Sequence, residues 1–217
     1  MRTTTFRSPA LTAWAGVVVV LTLGTACGKK SPAAPATTVT LSSTAALDGW
    51  VRNDGDAFAG GAGPGLGDLD EILPGLSFRE FYSFALSSIP GSVTIESAVL
   101  RLYQAGAGAA TYASLGNVIV DRVDLGAALD AADFSGGTLT PAIGTLSTNA
   151  TIEYKTLDVT TAVLADRNAG RARSDFRLRF GIADGNNNGA NNNVQFTDAE
   201  DSCCGVNRPP QLVVTYR

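Results

Sequence analysis

Arginine and tyrosine on the polar side of two alternating runs have the chemistry to hold an acidic sugar. In residues 97–103 (SAVLRLY), Ala98, Leu100 and Leu102 share one face and leave Arg101 and Tyr103 on the other. In residues 176–182 (FRLRFGI), Arg177 and Arg179 oppose Phe176, Leu178 and Phe180 in the same way. Sugar binding needs flat apolar surface for the pyranose ring and planar hydrogen-bonding groups, and a uronate adds a carboxylate that a guanidinium grips with two parallel bonds. Trp50, within Asp48-Gly49-Trp50-Val51, offers an indole that either stacks on a sugar or closes the edge of a core. The same outward positions also suit an ordinary solvated sheet face.

Two acidic clusters, Asn53-Asp54-Gly55-Asp56 and Asp68-Leu69-Asp70-Glu71, place oxygens closely enough for a structural calcium ion, with Asp54, Asp56, Asp68 and Asp70 as its ligands. Neither has EF-hand spacing. The Asn-rich residues 184–193 offer further carbonyls, or form a mobile loop whose Asn and Gly tolerate positive φ. Cys203 and Cys204 are adjacent, which leaves open a strained vicinal disulfide, bonds to another chain, or free thiols; a redox catalyst would use a spaced CxxC pair.

The chain contains no His, which removes the commonest base near neutral pH, the Ser–His and Cys–His nucleophile pairs and His-containing zinc sites. A formal net charge of -4 argues against duplex nucleic acid as a partner, because phosphate binding needs clustered Lys and Arg. The composition therefore points to a binding or structural protein and not to an enzyme. The enzyme alternative is a lyase in which a tyrosine acts as base beside an arginine, and no spacing selects among Tyr82, Tyr103, Tyr112, Tyr154 and Tyr216.

These residues must be positioned by short strands. Of the 217 residues, those from Ala46 onward alternate in brief runs separated by Gly, Asn, Pro and Ser clusters, the pattern of an antiparallel all-β sandwich over 46–217. Runs at 78–86, 97–103, 117–123, 176–182 and 211–217 read as strands. Asp158 and Thr160 offer N-cap oxygens to a helix of about two turns that ends at Gly170, and residues 124–130 read as a weaker helical turn.

Ahead of this domain, Arg2 and Arg7 precede an apolar run over 10–23 and small residues before Cys27, the layout of a secretory signal. A run of about 14 residues is shorter than the roughly 20 that cross a bilayer as a helix. Leu23-Gly24-Thr25-Ala26-Cys27 resembles the bacterial lipobox, so residues 1–26 read as a lipoprotein signal peptide and Cys27 as the lipidated residue. Residues 27–45, rich in Ser, Thr, Ala and Pro, read as a flexible tether. Gly28 in place of Asp gives no signal for inner-membrane retention, which implies the outer membrane or cell surface of a bacterium, with the membrane touched only through lipid.

Four pieces occur in an order that resembles the DNRLRE-domain family, also described as disaggregatase-related and grouped with carbohydrate-binding modules. They are residues 48–51 (DGWV), residues 84–90 (FALSSIP) followed by 95–103 (IESAVLRLY), residues 157–160 (LDVT) and residues 208–216 (RPPQLVVTY). The resemblance implies a sandwich of jelly-roll type with one or two short helices, surface location, and binding of polysaccharide, acidic chains among them. A surface scaffold or assembly protein that binds no sugar is the alternative of a different class.

Overall fold

A run with every second side chain apolar can bury only one face, and two such layers packed face to face satisfy each other. The computed structural model describes residues 35–61, 63, 65–182, 188–199 and 208–217. Cys27, Cys203 and Cys204 lie outside them, as do residues 184–187 of the Asn-rich segment.

In chain order the strands are β1 (Thr37–Ser42), β2 (Gly49–Arg52), β3 (Ala57–Ala59), β4 (Leu66–Leu69), β5 (Ser77–Ala85) and β6 (Ile95–Ala107). There follow β7 (Val118–Val123), β8 (Thr138–Ser147), β9 (Glu153–Asp158), β10 (Arg173–Phe180), β11 (Asn191–Phe196) and β12 (Gln211–Tyr216). Helices α1 (Thr111–Leu115) and α2 (Thr160–Asn168), with 3-10 turns at Ala45–Leu47 and Ala131–Phe134, complete the described elements. No described helix is long and apolar enough to cross a membrane.

All the pairings are antiparallel. One layer runs β1-β12-β6-β9, and the other runs β8-β7-β10-β5-β2-β3. Strand β11 continues from β6 to β4, and β4 pairs with β5, so the two layers belong to one continuous hydrogen-bonded sheet. The core lies between them. It joins Leu100, Leu102, Leu212 and Val214 of the first layer to Phe84, Phe176, Leu178, Phe180 and Val120 of the second, all at most 1 % exposed. Burying one such side chain contributes roughly 1.5–3 kcal/mol. The molecule is thus the expected antiparallel β-sandwich with two short helices.

Three details differ from the sequence reading. The folded part begins before Ala46: β1 lies inside the segment read as tether, pairs with β12 over Thr37–Ser42 and buries Leu41. Its Thr and Val residues favour extended structure once a partner strand is present. Residues 191–193, read as loop, open β11, with Asn192 buried. The helical turn expected over 124–130 falls at Ala131–Phe134 instead, because Asp130 accepts from Ala132 N and Asp133 accepts from Asp130 N, a reciprocal cap. Helix α2 does start after Asp158, whose Oδ1 accepts from Thr160 N at 2.9 Å, while Thr160 Oγ1 accepts from Ala98 N and ties the helix to β6.

The outer face of the second layer is not open to solvent. The connection between β7 and β8 folds back across it, with Phe134 packed beside Leu47, Val51, Phe81, Val123 and Leu125. Arg177, expected to face outward, is therefore 3 % exposed and works inside the fold. Its Nη1 donates to the carbonyls of Asp133, Phe134 and Gly136 at 3.0, 3.2 and 2.9 Å. Its Nη2 donates to Asp121 Oδ2 at 2.9 Å and Thr138 Oγ1 at 2.7 Å. Arg179, half-buried, donates from Nε and Nη2 to the two oxygens of Asp121. Burial works to raise the Asp121 carboxyl, but bonds from Arg179, Ala142 N–H and Arg177 outweigh it and hold the group below the ordinary carboxylate range.

Truncating Arg177 removes part of the counter-charge of Asp121, which keeps Arg179 and the Ala142 N–H, and leaves three carbonyls without their donor. Arg177→Ala should lower the unfolding free energy by about 3 kcal/mol in urea titrations, and Arg177→Lys should recover only part of it, since an ammonium lacks the fork that spans these acceptors.

Candidate functional site

The outer face of the other layer is open, and the registers of β1, β12, β6 and β9 define it row by row. Thr38, Thr215 and Ser97 form the first row, with the two threonine hydroxyls 3.0 Å apart. Thr40, Val213, Val99 and Asp158 form the second. Ser42, Gln211, Arg101 and Thr156 form the third, and Tyr103 stands opposite Tyr154 beyond it. Hydroxyls thus flank a half-buried valine pair, with arginine and tyrosine at one end.

Arg101 is held over an aromatic ring. Its guanidinium carbon sits 4.7 Å from the Tyr154 ring centroid, and Nη1 donates to Gln211 Oε1 at 3.1 Å. Nε and Nη2 donate to no described residue. Tyr154 meets Tyr103 edge to face at 5.3 Å, and the Arg208 guanidinium covers Tyr103 at 4.1 Å. Tyr103, expected to touch ligand, is only 8 % exposed and instead supports the two residues that flank it. Tyr154 and Arg208 stand at the same end of the face, and the sequence reading did not single them out beside Arg101 and Tyr103. Tyr154 alternates with Lys155 in a short polar run, so nothing in β9 marks it before the β6 register is known.

Of the expected ligand residues, the structure brings Arg101 and Tyr103 together on this face. Arg177 and Arg179 are consumed by Asp121 in the opposite layer. Trp50 is held in β2 of that layer, stacked on Phe58 at 5.9 Å and meeting the edge of Phe78 at 5.4 Å. It does line a small cleft, with Asp48, Glu80, Tyr82, Phe196 and Asp198. Tyr82 OH donates to Glu80 Oε2 at 3.1 Å. Burial, with smaller contributions from Asp48 and Asp198, pushes the Glu80 carboxyl up to about 8. The signal for this group was in the sequence: Glu80 falls in the same alternation as Phe78, Tyr82 and Phe84, an acid on the core side of a strand.

The four aspartates read as calcium ligands serve local structure here. Arg52 donates to both oxygens of Asp54 at 2.7 and 2.9 Å, which holds that carboxyl below its ordinary range, and lies 3.3 Å from Asp56. Asp68, fully buried, accepts from Asn192 N at 3.0 Å and Nδ2 at 3.3 Å. Asp70 accepts from Gly75 N and Asn188 N. Among the described residues no group of three or more His, Cys, Asp or Glu side chains is arranged to hold a metal ion.

Comparison of the chain with protein-family models finds no match, and none is found among curated proteins.

Asp68 joins β4 to β11 through buried donors. Asp68→Ala should cost about 2 kcal/mol, a fall of roughly 4–8 °C in melting temperature. An equal fall with calcium and with chelator is the expected result; a fall seen only with calcium would make Asp68 an ion ligand.

Proposed function

We propose that the protein is a non-catalytic surface lipoprotein that binds polysaccharide, uronate-containing chains above neutral ones, on the open face of β1, β12, β6 and β9. The observation that carries this reading is Arg101, placed over the Tyr154 ring with Nε and Nη2 bonded to no described residue. A guanidinium fixed by stacking loses little freedom when it grips a carboxylate through two donors. The adjoining rows supply what the rest of a sugar chain needs, a shallow apolar strip at Val99 and Val213 bordered by Thr, Ser and Gln groups. A flat face without walls suits an extended polymer better than a small molecule, which needs enclosure.

The tyrosines support binding over lyase chemistry. Burial raises the Tyr82 hydroxyl well above, and the Tyr112 hydroxyl above, the ordinary phenol range, the opposite of what a base requires. Tyr103 is covered by Arg208. The pieces that resemble DNRLRE domains fall on β2, the end of β5 with β6, the end of β9 with the start of α2, and β12; of these, β6, β9 and β12 belong to the proposed face.

Electrophoresis through gels containing a uronate polymer should retard the protein more than a neutral glucan does, and added salt should weaken the effect because exposed charge contacts are screened over about 8–10 Å. Arg101→Ala should weaken retardation about fivefold or more without changing the melting temperature beyond about 2 °C. A folded protein retarded by no polymer would favour the scaffold reading, and release of unsaturated sugars would favour a lyase. Cys27→Ala should move the protein from the membrane to the soluble fraction; continued sedimentation with membranes would place the anchor elsewhere.

A further inference from the structure

The cleft behind Trp50 packs more acid than its size can solvate. Asp48 enters it just before β2, Glu80 and Tyr82 from β5, and Asp198 just after β11. These side chains are 1, 6, 2 and 5 % exposed in that order. The free space between them is about 10 Å³, about one water molecule. No Lys or Arg lines it among the described residues. Ser43 Oγ donates to Asp48 Oδ2 at 2.5 Å, and the Tyr82 hydroxyl reaches Glu80.

The wall of the cleft is the β2–β3 hairpin. Trp50 stands directly opposite Glu80 in the β2–β5 ladder, and Gly63 lies so close to the indole that a Cβ there would fall 2.2 Å from Trp50 Cδ1. An additional charge at Glu80, itself 6 % exposed, therefore meets two carboxyl groups and an aromatic wall, with no Lys or Arg among the described lining residues.

We propose that this cleft is a proton-controlled latch: a neutral Glu80 lets the β2–β3 hairpin close against β5, and an ionised Glu80 loosens it. Burial, then repulsion from Asp48 and Asp198, drives the Glu80 carboxyl up to about 8, against the opposing bonds from Tyr82 and the Phe196 N–H. The unfolded chain releases the same proton near 4.5. The folded state therefore holds the proton more tightly; its stabilising effect is complete below about pH 4.5 and is lost as pH rises through about 8. The chain contains no His, so few other side chains titrate in that interval.

Chemical denaturation of the full chain should show its unfolding constant rising at least about tenfold between about pH 6 and about pH 8. Amide protection factors over 49–59, corrected for intrinsic exchange, should fall across the same interval. Glu80→Gln keeps the shape and cannot ionise, so it should flatten both dependences; a variant with the slope of the unaltered protein would overturn the latch. Infrared spectra of the unaltered protein give a test that needs no variant. A protonated carboxyl band at about pH 6 that is replaced by a carboxylate band at about pH 9 is expected, and its absence at the lower pH would also overturn the proposal.

Discussion

Asp121 is the residue on which one side of the molecule is built. From β7 it accepts hydrogen bonds from Arg177 and Arg179 of β10 and from the backbone of Ala142 in β8, so three neighbouring strands meet at one carboxylate. The Ala142 bond accompanies a bulge: the β7–β8 register shifts between Val120 and Arg122, and Ala142 adopts φ of 50°, a conformation seldom seen outside glycine. With its charge balanced by Asp121, Arg177 can carry three carbonyls of the returning segment and close the layer. Without the carboxylate, a buried guanidinium would be far too costly to keep.

A second network follows the same logic at the other end of β10. Asp166 of α2, fully buried, accepts from Nε and Nη2 of Arg122 and lies 2.9 Å from Nε of Arg171. Asp175, also fully buried, takes Ser83 Oγ, Arg173 Nε and Arg171 Nη2. Helix, strand and loop are joined there by forked donors that a lysine could not replace. This gives a physical sense to the dominance of Arg over Lys in the folded part: many of the described arginines bond inside the fold, while on the open face Arg101 keeps Nε and Nη2 without a partner among the described residues.

Strands whose alternation is strong were legible in the sequence. β5, β6, β7, β10 and β12 all overlap runs that expose one apolar face, with β6 and β10 reaching beyond theirs, and α2 was marked by Asp158 and Gly170, the latter at φ of 70°. The elements that were missed have weak local signals. β8 carries Pro141 and Gly144 and is mostly exposed, β11 opens with three asparagines, and β1 is a Thr-rich edge that needs β12 to form. For the site, alternation correctly put Arg177 on the face opposite the core. It could not reveal that a segment more than forty residues earlier returns to cover that face. Conversely, the pairing that makes Tyr154 a platform for Arg101 depends on long-range register, which no single run contains.

The position of β1 has a mechanical consequence. Thr37 pairs with Tyr216, so the first described strand and the last lie side by side with their outer ends at the same end of the ladder. Tension applied between these two ends does not shear six residue pairs together; it opens them in succession from Thr37 inward, each step breaking few bonds. Resistance then falls to Leu41, the buried side chain of β1, and to Val39, which packs partly buried against the same core. The strand next to the N-terminal segment is therefore a peeling joint, able to yield under load while the central strands of the sandwich stay paired.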